Sequence, residues 1–260
     1  MIQLDQLKNF FPPYLREKPT YSKYIFKEYL QLLILDYLTT TPYIRNIVFI
    51  GGTNLRLTKG IERFSEDLDF DCKNMSRVKF IEMTDGIIKC LLRNGFNVEP
   101  RDKENNKLKA YRRNLFFPEL LFNLGLSGYR NERFLIKIES QDQEIEYDRQ
   151  MANIKGCGFF FSFPVPTDKV ICAMKISALL SRQKGRDFYD SMFLLDQTQP
   201  DYSFLSAKCG IKNVTELKKR FSDLLAEVDL THKSKDFEHL VFRHNSSKRI
   251  LLFGDFIKEL

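Results

Sequence analysis

Long apolar runs are missing from this 260-residue chain. The richest stretch, YLQLLILDYL, is interrupted by Gln31 and Asp36, well short of the roughly 18 unbroken apolar residues of a membrane span. The opening MIQLDQLKNF has neither the basic flank nor the apolar core of a secretory signal. Together these absences set the expectation of a cytoplasmic protein without a membrane partner. Cysteine is sparse and scattered. Cys72, Cys90, Cys157, Cys172 and Cys209 are odd in number and contain no CxxC pair, which argues against a disulfide framework or a zinc site and for reduced thiols used in packing. The three histidines, His232, His239 and His244, lie near the C-terminus with no Cys or Asp cluster at a ligand spacing. Internal repeats, low-complexity tracts and a long Gly/Ser linker are also absent. With 43% hydrophobic and 29% charged residues, the chain reads as an ordinary folded protein, long enough for one large or two modest domains.

Charge is not balanced. A formal net charge of +7 and a pI near 9.0 bias association toward anionic partners. The excess is concentrated: Arg101 to Arg113 holds six basic residues against two acidic ones, and Lys175 to Arg186 holds four basic residues and no acid. Such patches are the electrostatic footprint of a nucleic-acid or polyphosphate binder, or else a solubilising face. Lys107, Lys109, Arg112 and Arg113 are the candidate nucleic-acid patch.

Hydrophobic periodicity organises the chain. Ile25, Phe26, Tyr29, Leu30, Leu33 and Tyr37 fall at helical spacing within residues 23–38, predicting a helix with one buried stripe. IVFI, closed by Gly51 and Gly52, predicts a buried strand and tight turn. Residues 80–94 again read as helix, stopped at Gly95. FNVEP, the longer YRRNLFFPELLFNLGLS and RFLIKIES read as strands. Beyond residue 160 the patterns are helical, beginning after Thr167 or Asp168 as N-cap. The expected architecture is α/β (α+β): a mixed-sheet domain with an N-terminal helix over 1–160, then a helical domain over 161–260 completing a shared cleft.

The chemistry concentrates in SEDLDFD, Ser65 to Asp71. Successive strand side chains point to opposite faces, so Asp67, Asp69 and Asp71 share one face and Leu68 and Phe70 the other. Carboxylate oxygens are the ligands Mg²⁺ prefers, and strands are otherwise depleted in Asp. About a dozen residues upstream, Gly51-Gly52-Thr53 exposes backbone N–H groups without two of its Cβ atoms, so a phosphate can approach closely. A turn cradling a triphosphate beside a strand presenting metal ligands is the arrangement that two-metal nucleotidyl transfer needs. The competing reading of the Asp run is a solvated edge strand.

Ile50-Gly-Gly-Thr-Asn-Leu followed by Arg63-Phe-Ser-Glu-Asp-Leu-Asp-Phe resembles the first motif of the nucleotidyltransferase superfamily, in the form found in AbiEii/AbiGii-type abortive-infection toxins. The resemblance spans about residues 20 to 195 and implies a nucleotidyltransferase-fold sheet domain. It carries Asp67 and Asp69 over as the metal-binding pair, with Gly51, Gly52, Thr53 and Ser65 at the nucleotide, while Asp71 rests on strand alternation alone. Such enzymes place a further carboxylate on a neighbouring strand. FLIKIES offers Lys137 and Glu139 on one face, making Glu139 the candidate third metal ligand or base ahead of Asp142, Glu144 and Glu146, which fall past the strand end.

The later motifs of the family resemble AMKISALLSRQKGRDFYD, with a functional lysine at Lys175 and a functional aspartate in Arg186-Asp187-Phe188-Tyr189-Asp190, here Asp187 or Asp190. On one continuous helix Lys175, Arg182 and Arg186 lie within about 20° of a line, a basic stripe for nucleotide phosphates. Gly185 is a candidate break in that helix. The resemblance implies a Mg²⁺-dependent toxin of a toxin–antitoxin system that moves NMP from an NTP to an acceptor hydroxyl, with a winged-helix-type antitoxin as partner. The basic patches favour tRNA or another RNA as acceptor. Transfer to a protein or small-molecule acceptor, and a catalytically silent nucleotide-binding regulator, are the alternatives.

Overall fold

The computed structural model describes residues 2–102 and 110–260. The chain forms two compact units, the first comprising Met1–Gly60, Phe64–Glu144 and Met151–Val165, the second Ile61–Arg63, Ile145–Gln150 and Pro166–Leu260. The sequence suggested one cut near residue 160. Instead two short stretches, Ile61–Arg63 and Ile145–Gln150, leave the sheet-bearing part of the chain and join the helical unit. Among the described residues no helix is long and apolar enough to cross a membrane.

The first unit is built on a five-stranded mixed sheet. Its strands are β1 (Ile47–Ile50), β2 (Leu68–Cys72), β3 (Glu99–Pro100), β4 (Tyr111–Phe116) and β5 (Leu135–Ser140), in the spatial order β1-β2-β5-β4-β3. β1 runs antiparallel to β2 with Ile50 opposite Asp69, and β2 runs parallel to β5 with Asp69 opposite Glu139. β4 is antiparallel to β5, placing Arg112 opposite Glu139. A separate two-stranded sheet pairs β6 (Arg149–Gly156) with β7 (Phe159–Pro166). The long strand expected across residues 111–127 ends at Phe116. Pro118 follows it, Glu119 adopts a left-handed φ of +54°, and Leu120–Asn123 turns into a short helix.

The N-terminal helix, Ser22–Thr39, is buried well beyond one stripe. Ile25, Phe26, Leu30, Leu32, Ile34 and Leu35 are nearly inaccessible, and so is Gln31. Polar groups survive there only because each is answered, since an unpaired buried polar group is costly. Lys27 Nζ reaches Glu66 Oε1 at 3.1 Å, Arg56 pairs with Glu28, and Gln31 Nε2 donates to the Ser65 carbonyl at 3.1 Å. Two of these three contacts grip Ser65 and Glu66, so the buried helix fixes the segment entering β2. The Arg77–Arg93 helix is capped by Ser76, whose Oγ accepts from Lys79 N, and Gly95, at φ +84°, follows its end.

The second unit is helical, with Asp168–Arg182, Gly185–Leu195, Tyr202–Cys209, Val214–Glu227, Leu230–Lys235 and Phe253–Glu259 among its helices. Phe253 packs edge-on against both Phe188 and Phe221. Gly185 must lack a side chain, because a Cβ there would lie 1.9 Å from the Lys233 carbonyl oxygen. At the centre is a buried ionic cluster. Arg63 grips Asp190 through two parallel bonds, Nε to Oδ1 at 2.7 Å and Nη2 to Oδ2 at 2.6 Å, and Lys175 Nζ lies 2.8 Å from the same Oδ2. Arg63 is 1% exposed and Asp190 fully enclosed. Burial alone would raise the Asp190 carboxyl, but Arg63 and Lys175 overcome it and hold the carboxyl well below the usual carboxylate range.

Replacing Asp190 by Asn removes the one anion shared by two buried cations. Breaking a buried pair in this way costs on the order of 3–5 kcal/mol, so Asp190→Asn is expected to lower Tm and the denaturant midpoint clearly. Because the native carboxyl is depressed, its stabilisation is complete above the ordinary carboxylate pKa of about 4 and is lost as pH falls toward the native value. The gap between wild type and Asp190→Asn should therefore narrow in strong acid, and an equal gap at every pH would show that the ion pair is not its source.

Candidate active site

The glycine turn and the carboxylate strand meet at one point. Gly51 has φ +82°, and a Cβ built on it would fall 2.1 Å from Asp69 Oδ2 and 2.8 Å from Asp69 Cβ. Two independent constraints thus require glycine there: the left-handed backbone and the carboxylate lying on it. The turn is tied to the sheet on both sides. Thr53 Oγ1 donates to the Asp67 carbonyl at 2.5 Å, and Asn54 Nδ2 donates to the Phe49 carbonyl at 2.8 Å. Thr53 is fully buried and Gly52 is buried beside it. The Thr53 hydroxyl, expected at the nucleotide, is therefore spent on fixing the backbone of Asp67. Ser65 is held through its carbonyl by Gln31.

The face opposite Leu68 and Phe70 is charged in both signs. Lys137 Nζ lies 2.9 Å from Asp67 Oδ2 and 3.4 Å from Glu139 Oε2, and Arg112 forms an ion pair with Glu139. The Asp67, Glu139 and Lys137 side chains are each about a quarter exposed. Burial works to lower the Lys137 pKa, but the hydrogen bond to Asp67 and the attractions of Asp67, Glu139 and Asp69 together raise it, so the ammonium stays charged. Asp71 departs from its alternation partners. It is 1% exposed, and its Oδ1 accepts from Gln143 N at 2.9 Å, tying down the chain that leaves β5. Asp142, Glu144 and Glu146 lie past the strand end.

Among the described residues no group of three His, Cys, Asp or Glu side chains is arranged to hold a metal ion. Glu139, expected as the third ligand or base beside Asp67 and Asp69, is engaged by Arg112 and Lys137 from two sides. The remaining donor set still suits Mg²⁺, which is commonly held by one or two carboxylates plus substrate phosphates rather than by an all-protein cage. Asp67 and Asp69 supply that pair of hard oxygen donors.

The basic stripe does not form as expected. The helix carrying Lys175 ends at Arg182, Gln183 turns left-handed at φ +52°, and a second helix starts at Gly185. Arg186 therefore sits on a different helix from Lys175. Lys175 is 5% exposed and committed to Asp190, while Arg182 holds Asp187 through two bonds of 2.8 and 2.7 Å. Asp187 and Asp190 are both fully buried, the first paired with Arg182 and the second with Arg63 and Lys175. The two described arginines of the expected nucleic-acid patch are both ion-paired. Adjacent strand residues face opposite ways: Arg112 points to Glu139, while Arg113, 8% exposed, pairs with Asp85 and with Asp102. Lys107 and Lys109 lie outside the described residues.

Sequence reasoning missed Arg63 and the position of Lys137 between the carboxylates. Arg63 did carry a signal, since it opens the Arg63-Phe-Ser-Glu-Asp-Leu-Asp-Phe motif, yet its partner is 127 residues away. Cys72, Cys157 and Cys172 are buried in the packing. Burial pushes Cys157 and Cys172 up to about 12.

No curated protein matches the chain. Several solved structures share its fold. MenT4, a nucleotidyltransferase toxin from Mycobacterium tuberculosis H37Rv, superposes with a TM-score of 0.63 at 16% identity, over 100% of this chain and 91% of that one. JHP933 from Helicobacter pylori superposes with a TM-score of 0.55 at 20% identity, over 91% and 90%. The family model described as nucleotidyl transferase AbiEii toxin, type IV toxin–antitoxin system, matches residues 33–242, a span containing the Gly51 turn, Asp67, Asp69, Lys175 and Asp190. The chain belongs to the AbiEii family of nucleotidyltransferase toxins of type IV toxin–antitoxin systems.

Proposed function

We propose that this chain transfers NMP from an NTP to the terminal hydroxyl of tRNA in the cytoplasm, with Asp67 and Asp69 at the reacting phosphates. The observation that carries the reading is the Gly51 backbone lying directly on the Asp69 carboxylate, with Asp67 two residues away and its backbone tethered by Thr53. That arrangement lets a triphosphate lie against bare backbone while carboxylates stand beside it. The acceptor hydroxyl gives its proton to water as its oxygen bonds to the α-phosphorus, the bond from that phosphorus to the bridging oxygen of the β-phosphate breaks, and pyrophosphate leaves. Asp67 and Asp69 would hold Mg²⁺, whose chemistry when bound is to neutralise charge on the phosphates.

Support for an RNA acceptor is the net charge of +7, since Arg112 and Arg113 are engaged within the fold. Lys175, Arg182, Arg186 and Asp187 enter this proposal through the family pattern alone. Within their own unit Lys175, Arg182 and Asp187 hold ion pairs. Family membership implies an antitoxin, and the proposal takes it to be of winged-helix type.

Incubation with each NTP labelled at the α-phosphate, with Mg²⁺ and total tRNA, should label RNA and release pyrophosphate stoichiometrically. Label appearing in protein or in a small acceptor, or no pyrophosphate with any acceptor, would reject the tRNA assignment. RNA affinity should also fall steeply with salt as condensed counterions are released.

Asp67→Asn and Asp69→Asn should each slow transfer by at least about a hundredfold, the scale of losing one preorganised electrostatic group, with Tm close to wild type. Gly51→Ala should reduce transfer comparably, because its methyl must displace the Asp69 carboxylate, and it should cost stability through the strained φ as well. A Gly51→Ala variant with normal turnover would show that contact between turn and carboxylate is dispensable.

A further inference from the structure

Lys137 stands where a cation is needed. Its ammonium lies between Asp67 and Glu139, at 2.9 and 3.4 Å, on the face that also presents Asp69, which pairs in register with Glu139. Strand alternation puts Lys137 and Glu139 on the same face of β5, two residues apart, so the lysine is delivered to this spot by the backbone and not by a mobile loop. Arg112, opposite Glu139 on β4, holds that carboxylate from the other side. The face therefore carries three carboxylates against two cations.

A divalent ion on Asp67 would compete directly with Lys137 for the same oxygens. Two cations within a few ångströms repel strongly in a partly desolvated site. An incoming triphosphate relieves the conflict, because it brings anionic oxygens that an ammonium can take up in place of Asp67.

We propose that Lys137 is the resident counter-ion of this face: it occupies Asp67 in the resting protein, weakens divalent-cation binding until nucleotide arrives, and then transfers its ammonium from Asp67 to a phosphate of the NTP. The inference rests on the reading that Asp67 and Asp69 are the metal-binding pair. It adds a positioning residue on β5 and predicts that metal and nucleotide load interdependently. A merely structural lysine would instead hold Asp67 in place, and its loss would weaken metal binding.

Mn²⁺ binding to the full chain, followed by electron paramagnetic resonance of the free ion, tests this without using activity. In the absence of nucleotide, Lys137→Met should bind Mn²⁺ roughly tenfold more tightly than wild type, the order expected when a charge-assisted competitor is removed. Lys137→Arg should stay near the wild-type value, since it keeps the charge. In Lys137→Met the affinity for a non-hydrolysable NTP should fall by a similar factor. If Lys137→Met does not fold, Lys137→Gln, which keeps a hydrogen-bond donor without charge, is read in the same way. Unchanged or weaker Mn²⁺ binding in the neutral variant, alongside Asp69-dependent binding in wild type, overturns the role of Lys137 alone. Mn²⁺ binding that is absent from wild type with and without nucleotide, or that survives in Asp69→Asn, overturns the metal-pair reading and this proposal with it.

Discussion

The first unit is organised around a steric constraint: Asp69 and Gly51 share one space. The carboxylate occupies the volume where any other residue at position 51 would put its Cβ. Everything nearby serves that approach. β1 and β2 pair with Ile50 opposite Asp69, Asn54 anchors the turn to β1, and Thr53 anchors it to the residue before β2. The buried Ser22–Thr39 helix holds Ser65 and Glu66 from behind. The result is a carboxylate resting on bare backbone, held there from both strands and from the buried helix.

The charges of both described clusters are paired at short range. Asp67 has Lys137, Glu139 has Arg112 and Lys137, Arg113 has Asp85 and Asp102, Asp187 has Arg182, and Asp190 has Arg63 and Lys175. The same arginines that make the linear sequence look like a nucleic-acid patch are partners of named carboxylates in the fold. Two pairings differ in their environment and so in their consequence. The Asp190 cluster is sealed and fixes a helical unit, because separating its charges would strand two cations away from water. The Asp67 and Glu139 cluster is partly open to solvent, each side chain about a quarter exposed.

Family and fold point the same way from different kinds of observation. The AbiEii match covers most of the chain, whereas the structural neighbours, at 16% and 20% identity, establish the shared backbone arrangement. At such identities few side chains are common, and the likeness is one of backbone arrangement.

The sequence by itself determined the local features. Alternation in Leu68-Asp69-Phe70 showed which side of β2 is apolar, the run IVFI followed by two glycines showed a strand ending in a tight turn, and the order of the two motif clusters showed the family. These are legible because periodicity, turn chemistry and motif spacing are properties of consecutive residues. Tertiary structure alone decided which charge answers which. Arg63 and Asp190, 127 residues apart, and Asp71 with the amide of Gln143, 72 apart, carry no mark of each other in the sequence. Lys137 was visible on the face of Glu139, but only the parallel pairing of β2 with β5 brings it to Asp67. The reason is physical: electrostatic partnership depends on distance and burial in space, and neither is set until the strands have chosen their neighbours.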